Sequence, residues 1–181
     1  IFEPGKFIVA TAGVGLTKVI ANKKLPRNEQ LICDASTYAF VPDPLIYKAY
    51  YDILPANKMK KPKTRKYNIA GCTCDSIDMI GKKRKLPKLV DGDILAIMDC
   101  GAYSNVMASN FNTLKKAPMV MIKKDGTVKR IRRRDRYSEM FAPELDVLKM
   151  GDSQELKKLY NLYRVNINKL WRGSRKNGNG R

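Results

Sequence analysis

The 181-residue chain contains no histidine, and this absence narrows its chemistry at once. A Ser-His-Asp or Cys-His catalytic group and a His-ligated metal site are excluded. Acidic residues are scarce, since 17 Asp and Glu stand against 36 Lys and Arg, for a formal net charge of +19. No apolar run reaches the ~18 residues that span a bilayer, and no secretory signal is recognisable. We therefore expect a cytoplasmic location and no membrane partner.

Cysteines are few, and their spacing predicts free thiols. Cys72 and Cys74 form one C-x-C pair, while Cys33 and Cys100 stand alone. Structural zinc sites usually bring two C-x₂₋₄-C knuckles, so no metal site is predicted. Disulfides are not expected in a chain without a secretion signal. The chain also begins with Ile1 instead of Met, and we expect it to be cut from a longer protein.

The composition predicts a folded domain with a basic surface. Hydrophobic residues make up 44% of the chain and charged residues 29%, which is too apolar for a disordered tail. Basic residues are concentrated at 57–88, 123–137 and 172–181. Such stretches could pair with phosphates, so a basic nucleic-acid-binding barrel is one alternative. It is not favoured, because no zinc-finger, helix-turn-helix or aromatic RNA-binding motif accompanies them.

Apolar runs separated by turns dominate residues 16–134, at spacings typical of a β-barrel or sandwich. An Asp-Gly pair lies between two alternating runs at 125–126 and predicts a hairpin. The predicted strands cover residues 16–24, 30–34, 67–71, 94–98, 119–123 and 127–132. Short helices are predicted near 6–12 and 44–52. Apolar spacings of three and four predict a longer helix over 153–170, with Ser153 as its cap.

Three motifs follow one another in a particular order. They are Glu3-Pro4-Gly5-Lys6, the stretch from Gly71 to Asp78 (GCTCDSID), and the stretch from Gly92 through Cys100-Gly101-Ala102-Tyr103 to Asn112. Together they resemble the C-terminal half of the fold-type III pyridoxal-phosphate decarboxylases, a family that includes diaminopimelate, ornithine and lysine decarboxylases. The resemblance runs from about Ile1 to Phe141.

The resemblance implies a mainly β fold, the Greek-key barrel or sandwich of the alanine racemase/ornithine decarboxylase type. Residues 1–15 would then be the remnant of a preceding (β/α)₈ barrel, and residues 16–141 the β-domain. Residues 142–171 would form an appended helical segment, and residues 172–181 a basic disordered tail.

The resemblance also assigns roles around pyridoxal 5'-phosphate, whose pyridine ring absorbs the electron pair left when CO₂ departs. Glu3 would face the ring nitrogen, while Gly5, Lys6 and Tyr103 would bind the cofactor, with the Tyr103 phenol at its phosphate. Cys74 would deliver a proton, as a thiol of pKa ~8.5 can. Relatives present the residues that match Cys74 and Asp75 across a homodimer interface, which implies two composite sites per dimer.

The remaining predicted site residues concern the substrate. Asp75 would receive the distal amine, and Asp43 and Tyr47 lie in a stretch that contacts substrate in relatives. The family usually has Arg where Lys6 stands, and Lys lacks the bidentate fork of Arg. Diaminopimelate decarboxylases have Arg where Asp43 stands, and there it grips the second carboxylate of the substrate. An acid at position 43 would repel a carboxylate and favour an amine. We therefore predict a basic amino acid as substrate, with lysine or ornithine preferred over diaminopimelate.

The family's Schiff-base Lys, stacking His and glycine-rich phosphate loop belong to the barrel domain that precedes this part. The chain alone is therefore expected to be inactive, although the full-length protein is predicted to be a decarboxylase of polyamine or lysine biosynthesis. The other alternative is a regulatory homologue that keeps the β-domain but has lost catalysis, and Lys6 is the feature that favours it.

Overall fold

A computed structural model describes residues 1–26, 28–150, 154 and 157–166 of the chain. It divides into two compact units, Ile1–Ala117 and Pro118–Arg181. A sheet dominates the first unit, and its strands are β1 (Gly15–Lys24), β2 (Glu29–Cys33), β3 (Ile53–Pro55), β4 (Arg65–Ala70), β5 (Met79–Leu86) and β6 (Ile94–Ile97). The predicted fold class, a mainly β domain, is confirmed.

The sheet has the order β3-β6-β1-β2-β4-β5, and all its pairs are antiparallel except β2 with β4. The predicted strands at 16–24, 30–34, 67–71 and 94–98 correspond to β1, β2, β4 and β6. The sequence reading missed β3 and β5. A run of cations at 82–85 masks the strand pattern of β5, in which the side chains of Ile80, Arg84 and Leu86 are buried.

The sheet is strongly curled, so that its two edge strands approach each other. Gly81 in β5 lies against Ile53 in β3, and a side chain at Gly81 would meet the Ile53 Cδ1 atom at 2.9 Å. Alternate residues of β1 point inward, as a strand with one buried face requires. The core consists of Val19, Leu31, Cys33, Val41, Tyr51, Ile53, Tyr67, Ile69, Ile80, Leu86, Leu89, Leu95 and Ile97.

Short helices flank the sheet in the first unit. Helix α1 (Gly5–Val9) continues into a 3₁₀ turn (Ala10–Ala12), in agreement with the helix predicted near 6–12. Helix α2 covers only Asp43–Ile46, so the helix predicted over 44–52 is too long. It ends because Lys48 adopts a left-handed conformation, with φ of 53°, that an α-helix does not contain. Helix α3 (Ser104–Met107) and a 3₁₀ turn (Phe111–Thr113) follow β6.

The second unit begins with the predicted hairpin. Strands β7 (Met119–Ile122) and β8 (Val128–Arg132) pair antiparallel around Gly126, whose φ of 81° suits glycine. Helices α4 (Tyr137–Met140) and α5 (Ala142–Met150) follow, and residues 157–166 are helical. Ser153 and the last four residues of the helix predicted over 153–170 lie outside the described residues, as does the predicted tail at 172–181. The predicted four-part domain division stays a prediction.

None of the helices in the described part of the chain combines the length and the apolar character that crossing a membrane requires.

Candidate functional site

Glycine backbones bring α1 against the segment that follows β6. The Gly101 amide donates to the Ala10 carbonyl oxygen, and the Cys100 amide to that of Gly13, both at 2.8 Å. Gly101 lies so close to the Val9 carbonyl oxygen that no Cβ would fit there. This contact explains why glycine occupies position 101, and it places the motif at the start of α1 beside the Gly-Ala-Tyr motif.

Tyr103 lies at the N-terminus of α3 in a strained backbone conformation. Its φ of 59° is unusual for a large side chain, and such strain is concentrated at functional sites. The Tyr103 hydroxyl lies directly over Gly5, where a side chain would collide with it. The predicted cofactor-binding residues Gly5 and Tyr103 are therefore neighbours.

Lys6 forms an ion pair with Asp43. Its Nζ donates to Asp43 Oδ2 at 2.5 Å and to the Tyr51 hydroxyl at 3.1 Å, and Tyr51 in turn donates to the same Asp43 oxygen at 2.8 Å. The Asp43 side chain is only 4% exposed, whereas that of Lys6 is 41% exposed. The second oxygen of Asp43, Oδ1, is buried without a hydrogen-bond partner among the described residues.

Protonation of this cluster is set by its mutual hydrogen bonds. Burial lowers the pKa of Lys6, but hydrogen bonds to Asp43 and Tyr51 outweigh that effect and raise it overall. Burial and the hydrogen bond to Asp43 raise the pKa of Tyr51. At neutral pH the cluster therefore contains an ammonium and a neutral phenol that both donate to the carboxylate.

A cavity of about 390 Å³ opens beside this cluster. Four of its lining residues were predicted site residues: Lys6, Asp43, Tyr47 and Tyr103, which meet Ala49 there. They come from three separate parts of the chain. Glu3 lies exposed just before α1 and is not among these lining residues.

The ion pair removes the main argument for a lysine or ornithine preference. That prediction required the Asp43 carboxylate to face the substrate with its charge free. In the structure the carboxylate is buried and its charge is balanced by Lys6. A balanced pair neither repels a distal carboxylate nor attracts a distal amine as a free charge would.

The buried side chain of Asp78 anchors the loop that carries Cys74 and Asp75. The Asp78 carboxylate is buried and accepts four hydrogen bonds: from the amide and hydroxyl of Thr37 at 2.7 and 2.8 Å, and from those of Thr73 at 3.2 and 2.7 Å. Gly71 leaves room for this carboxylate, since a side chain there would collide with it. Because Thr73 directly precedes Cys74, these bonds fix the base of the loop.

Asp75 is held by Tyr38. The Tyr38 hydroxyl donates to Asp75 Oδ2 at 2.5 Å, and the Ile77 amide donates to Oδ1 at 3.0 Å. The hydrogen bond from Tyr38, followed by that from Ile77, lowers the pKa of Asp75. The same hydrogen bond raises the pKa of Tyr38 to about 12. Asp75 is therefore a fixed carboxylate at neutral pH.

Cys74 differs from the other cysteines of the chain. All four are free thiols, and Cys74 is the exposed one. Burial raises the pKa of Cys33 to about 12 and also raises the pKa values of Cys72 and Cys100. The Asn112 side-chain amide donates to Cys74 Sγ at 3.3 Å. The accessible thiol is thus the predicted catalytic one.

Sequence reasoning missed four residues that shape these two groups: Tyr38, Tyr51, Asp78 and Asn112. Asp78 and Asn112 lie inside the quoted motifs, so their position in those motifs was an available signal. No spacing rule points to Tyr38 or Tyr51, because their partners are distant in the chain. The site residues therefore form two groups, which are the cavity residues and the Cys74–Asp75 pair. Each contact described above lies within one group or the other.

The fold is that of a sheet domain found in one class of decarboxylases. Residues 7–101 match the family described as pyridoxal-dependent decarboxylase, C-terminal sheet domain. The chain belongs to this family, as its motifs indicated.

Diaminopimelate decarboxylases are prominent among the similar proteins. The Methanocaldococcus jannaschii enzyme is 39% identical over 80% of this chain and 32% of its own length, and the Pseudomonas aeruginosa enzyme is 37% identical over 80% and 34%. A crystal structure of the M. jannaschii enzyme matches with a TM-score of 0.73 at 36% identity, over 85% of this chain and 33% of that one. The chain thus spans about a third of the length of these relatives.

Pyridoxal phosphate is the cofactor of this family, and the residues that line the cavity have the chemistry to hold its phosphate group. The Tyr103 hydroxyl can donate to a phosphate oxygen. Lys6 retains one of its three donors after those to Asp43 and Tyr51, and this donor can reach a phosphate oxygen. The close approach of Gly5 to Tyr103 leaves no side chain between that phenol and the α1 backbone. These residues fit a phosphate-holding role.

Proposed function

We propose that the chain is the C-terminal part of a pyridoxal-phosphate-dependent decarboxylase, a carbon–carbon lyase, that acts on diaminopimelate. The observation that carries this proposal is the convergence of Lys6, Asp43, Tyr47 and Tyr103 on one cavity. The similarity to diaminopimelate decarboxylases at 37–39% identity supports the substrate. The lysine/ornithine decarboxylase of Vibrio vulnificus matches less well, with a TM-score of 0.57 over 63% of this chain.

In this proposal the site residues hold the cofactor and orient the substrate. Tyr103 and Lys6 would hold the cofactor phosphate beside the backbone of Gly5, and Glu3 would supply a carboxylate for the ring nitrogen. The bound cofactor supplies an electron sink for the departing CO₂. Tyr47 and Asp43 form the wall nearest the substrate, where the Lys6–Asp43 pair carries no net charge. Asp75 binds a substrate ammonium group as a fixed carboxylate.

Cys74 supplies the proton that replaces CO₂. Its S–H bond breaks, the bonding electron pair stays on sulfur, and the proton joins the carbon from which CO₂ has left. Because Cys74 is exposed, water returns a proton to the sulfur. A thiol can serve as the general acid in such a step.

A homodimer completes the site in this proposal. The cavity residues and the Cys74 loop form separate groups, which suits an arrangement in which a second copy presents Cys74 and Asp75 to the cavity of the first. Each dimer then has two composite sites, as a two-fold interface requires. A cytoplasmic location is part of the same proposal.

A fusion tests this function. The chain is joined to the N-terminal portion of the M. jannaschii enzyme in place of that enzyme's own C-terminal third. With pyridoxal phosphate and diaminopimelate we expect release of CO₂ and formation of lysine, and we expect a dimer by light scattering. Tyr103→Phe is expected to weaken cofactor binding by about tenfold, because one hydrogen bond to a charged phosphate is lost. Tyr137→Phe, in the second unit, is the matched control.

Two results would contradict the proposal. One is a folded, dimeric fusion that binds the cofactor but releases no CO₂ from diaminopimelate, which would favour the inactive regulatory homologue. The other is faster release of CO₂ from lysine or ornithine than from diaminopimelate, which would restore the original substrate prediction. Nucleic-acid binding stays an untested alternative, and a salt-sensitive shift of labelled RNA or DNA would support it.

A further inference from the structure

The turn that follows α3 adopts an unusual conformation. Asn112 has φ of 53° and ψ of 30°, and Thr113 has φ of 57°, so two consecutive non-glycine residues lie in the left-handed region. Asn tolerates this region better than most residues, but Thr does not. Such an arrangement costs free energy and persists only where surrounding contacts impose it.

Contacts with Tyr38 impose it here. The Ser109 amide donates to the Tyr38 carbonyl oxygen at 2.8 Å, and the Phe111 and Tyr38 rings pack with centroids 4.2 Å apart. The Asn110 side-chain amide closes the turn by donating to the Leu114 carbonyl oxygen at 2.8 Å. Tyr38 is also the residue that holds Asp75. One side chain therefore supports both the turn and the Cys74 loop.

The consequence is a contact between the turn and the thiol. The left-handed backbone of Asn112 places its side chain so that Nδ2 donates to Cys74 Sγ at 3.3 Å. A hydrogen bond donated to an acidic group favours its deprotonated, charged form. The amide therefore stabilises the thiolate that remains when Cys74 has given up its proton.

We propose that Asn112 is a positioning residue for Cys74, which fixes the direction of the sulfur and stabilises its thiolate. This inference rests on the proposed function, in which the Cys74 S–H bond breaks in favour of a C–H bond on the substrate. Asn112 acts through the sulfur and takes no proton itself, so the balance of atoms and charge in that step is unchanged.

The groups near the Cys74 sulfur differ in charge and in the partners they bind. Asp75 is the next residue in the chain and accepts from the Tyr38 hydroxyl, while Asp78 anchors the same loop through Thr73. The Tyr38 phenol is neutral at physiological pH, with a pKa of about 12. The Asn112 amide is a neutral donor to the sulfur, and Cys74 stays exposed beside it.

The pH dependence of Cys74 alkylation tests the inference in the 181-residue chain. The chain is treated with iodoacetamide across a pH series, and mass spectrometry quantifies the modified Cys74 peptide. Asn112→Gly keeps the left-handed backbone but removes the amide, and we expect its alkylation midpoint to lie about 0.5 to 1 pH unit higher. Asn112→Asp places a carboxylate at the sulfur and is expected to shift the midpoint further upward, by more than about one unit.

The matched control is Thr113→Gly, which relaxes the neighbouring left-handed residue but leaves the Asn112 amide in place. We expect its alkylation midpoint to equal that of the wild type, and all three variants to keep the wild-type circular dichroism spectrum. An unchanged midpoint in folded Asn112→Gly, or an equal shift in Thr113→Gly, would overturn the inference.

This measurement involves no cofactor and no substrate, so it separates the inference from the proposed function. If Asn112→Gly shifts the midpoint while the fusion described above is inactive, the positioning contact stands and the proposed function fails. If the fusion is active and the midpoint does not move, the function stands and the role of Asn112 fails. In an active fusion, Asn112→Gly is expected to lower kcat about tenfold, with KM unchanged.

Discussion

The cavity beside Lys6 and the loop of Cys74 each contain a buried carboxylate, and each stabilises it differently. Asp43 at the cavity is paired with an ammonium group and a phenol. Asp78 in the loop accepts only from neutral donors, the amides and hydroxyls of Thr37 and Thr73. Both carboxylates are almost fully buried, with exposures of 3% and 2%.

The difference determines what each region can offer a ligand. At the cavity, the charges of Lys6 and Asp43 neutralise each other. This wall can therefore orient a ligand, but it attracts a charged ligand only weakly. In the loop the buried carboxylate anchors the backbone, and the groups above it, Cys74 and Asp75, stay accessible for chemistry. We therefore expect substitutions at the loop anchor to have the largest effect on stability.

Replacement of the loop anchor gives the largest expected change. Asp78→Ala leaves four donors without this acceptor, two of them buried and two partly buried, and we expect a loss of about 3 kcal/mol in the free energy of unfolding. Urea denaturation of the chain measures this. Asp78→Asn keeps the shape and one acceptor oxygen, so its loss should be smaller. A loss below about 1 kcal/mol for Asp78→Ala would show that the loop is held by other contacts.

Removal of one charge at the cavity should have an intermediate effect. Lys6→Met leaves the buried Asp43 carboxylate without its cation, and we expect a loss of about 1–2 kcal/mol, reduced from the value for fully buried pairs because Lys6 is partly exposed. The double variant Lys6→Met/Asp43→Asn should recover most of it. Equal losses for the single and double variants would contradict this coupling.

The same pair predicts a dependence on alkaline pH. The pKa of Lys6 is raised above its ordinary value of 10.5 in the folded protein. Its contribution is therefore complete below pH 10.5 and is lost as the pH rises through the folded value. Wild type should lose more stability than Lys6→Met across that range, and parallel curves would show that the pair contributes nothing there.

The smallest effect on stability is expected for the hydrogen bond between Tyr38 and Asp75. Its loss should change the pKa of Asp75 more than the free energy of unfolding. Tyr38→Phe removes the hydrogen bond that lowers the pKa of Asp75, so that pKa should rise. Carboxyl-carbon NMR titration measures it. As the reciprocal control, Asp75→Asn should bring the pKa of Tyr38 from about 12 down towards 10.0. An unchanged Asp75 titration in Tyr38→Phe would contradict the contact.

The sequence predicted elements whose signal is local. Strand β1 alternates buried and exposed residues, and the hairpin around Gly126 has a turn pair between apolar runs. The prediction from sequence missed β5, where four consecutive cations mask the strand pattern. It also made α2 too long, because the left-handed conformation of Lys48 ends that helix. Both failures arise from tertiary packing that overrides the local pattern.

For the candidate site, too, the sequence predicted some features and missed others. The family resemblance identified Lys6, Asp43, Tyr47 and Tyr103, which the cavity brings together. It did not reveal that Lys6 and Asp43 neutralise each other, so the charge of Asp43 was interpreted as free. Whether two charges are paired depends on a distance between residues 37 positions apart, and no local pattern encodes that distance.

The sequence by itself determined the family, the mainly β fold and the residue types available for chemistry, because motif order, strand periodicity and the absence of histidine are properties of the chain. Only the tertiary structure decided which charges are balanced, which thiol is accessible and which amide reaches it. Those properties depend on burial and on distances of a few ångströms between residues far apart in sequence, and the packing of the sheet sets both.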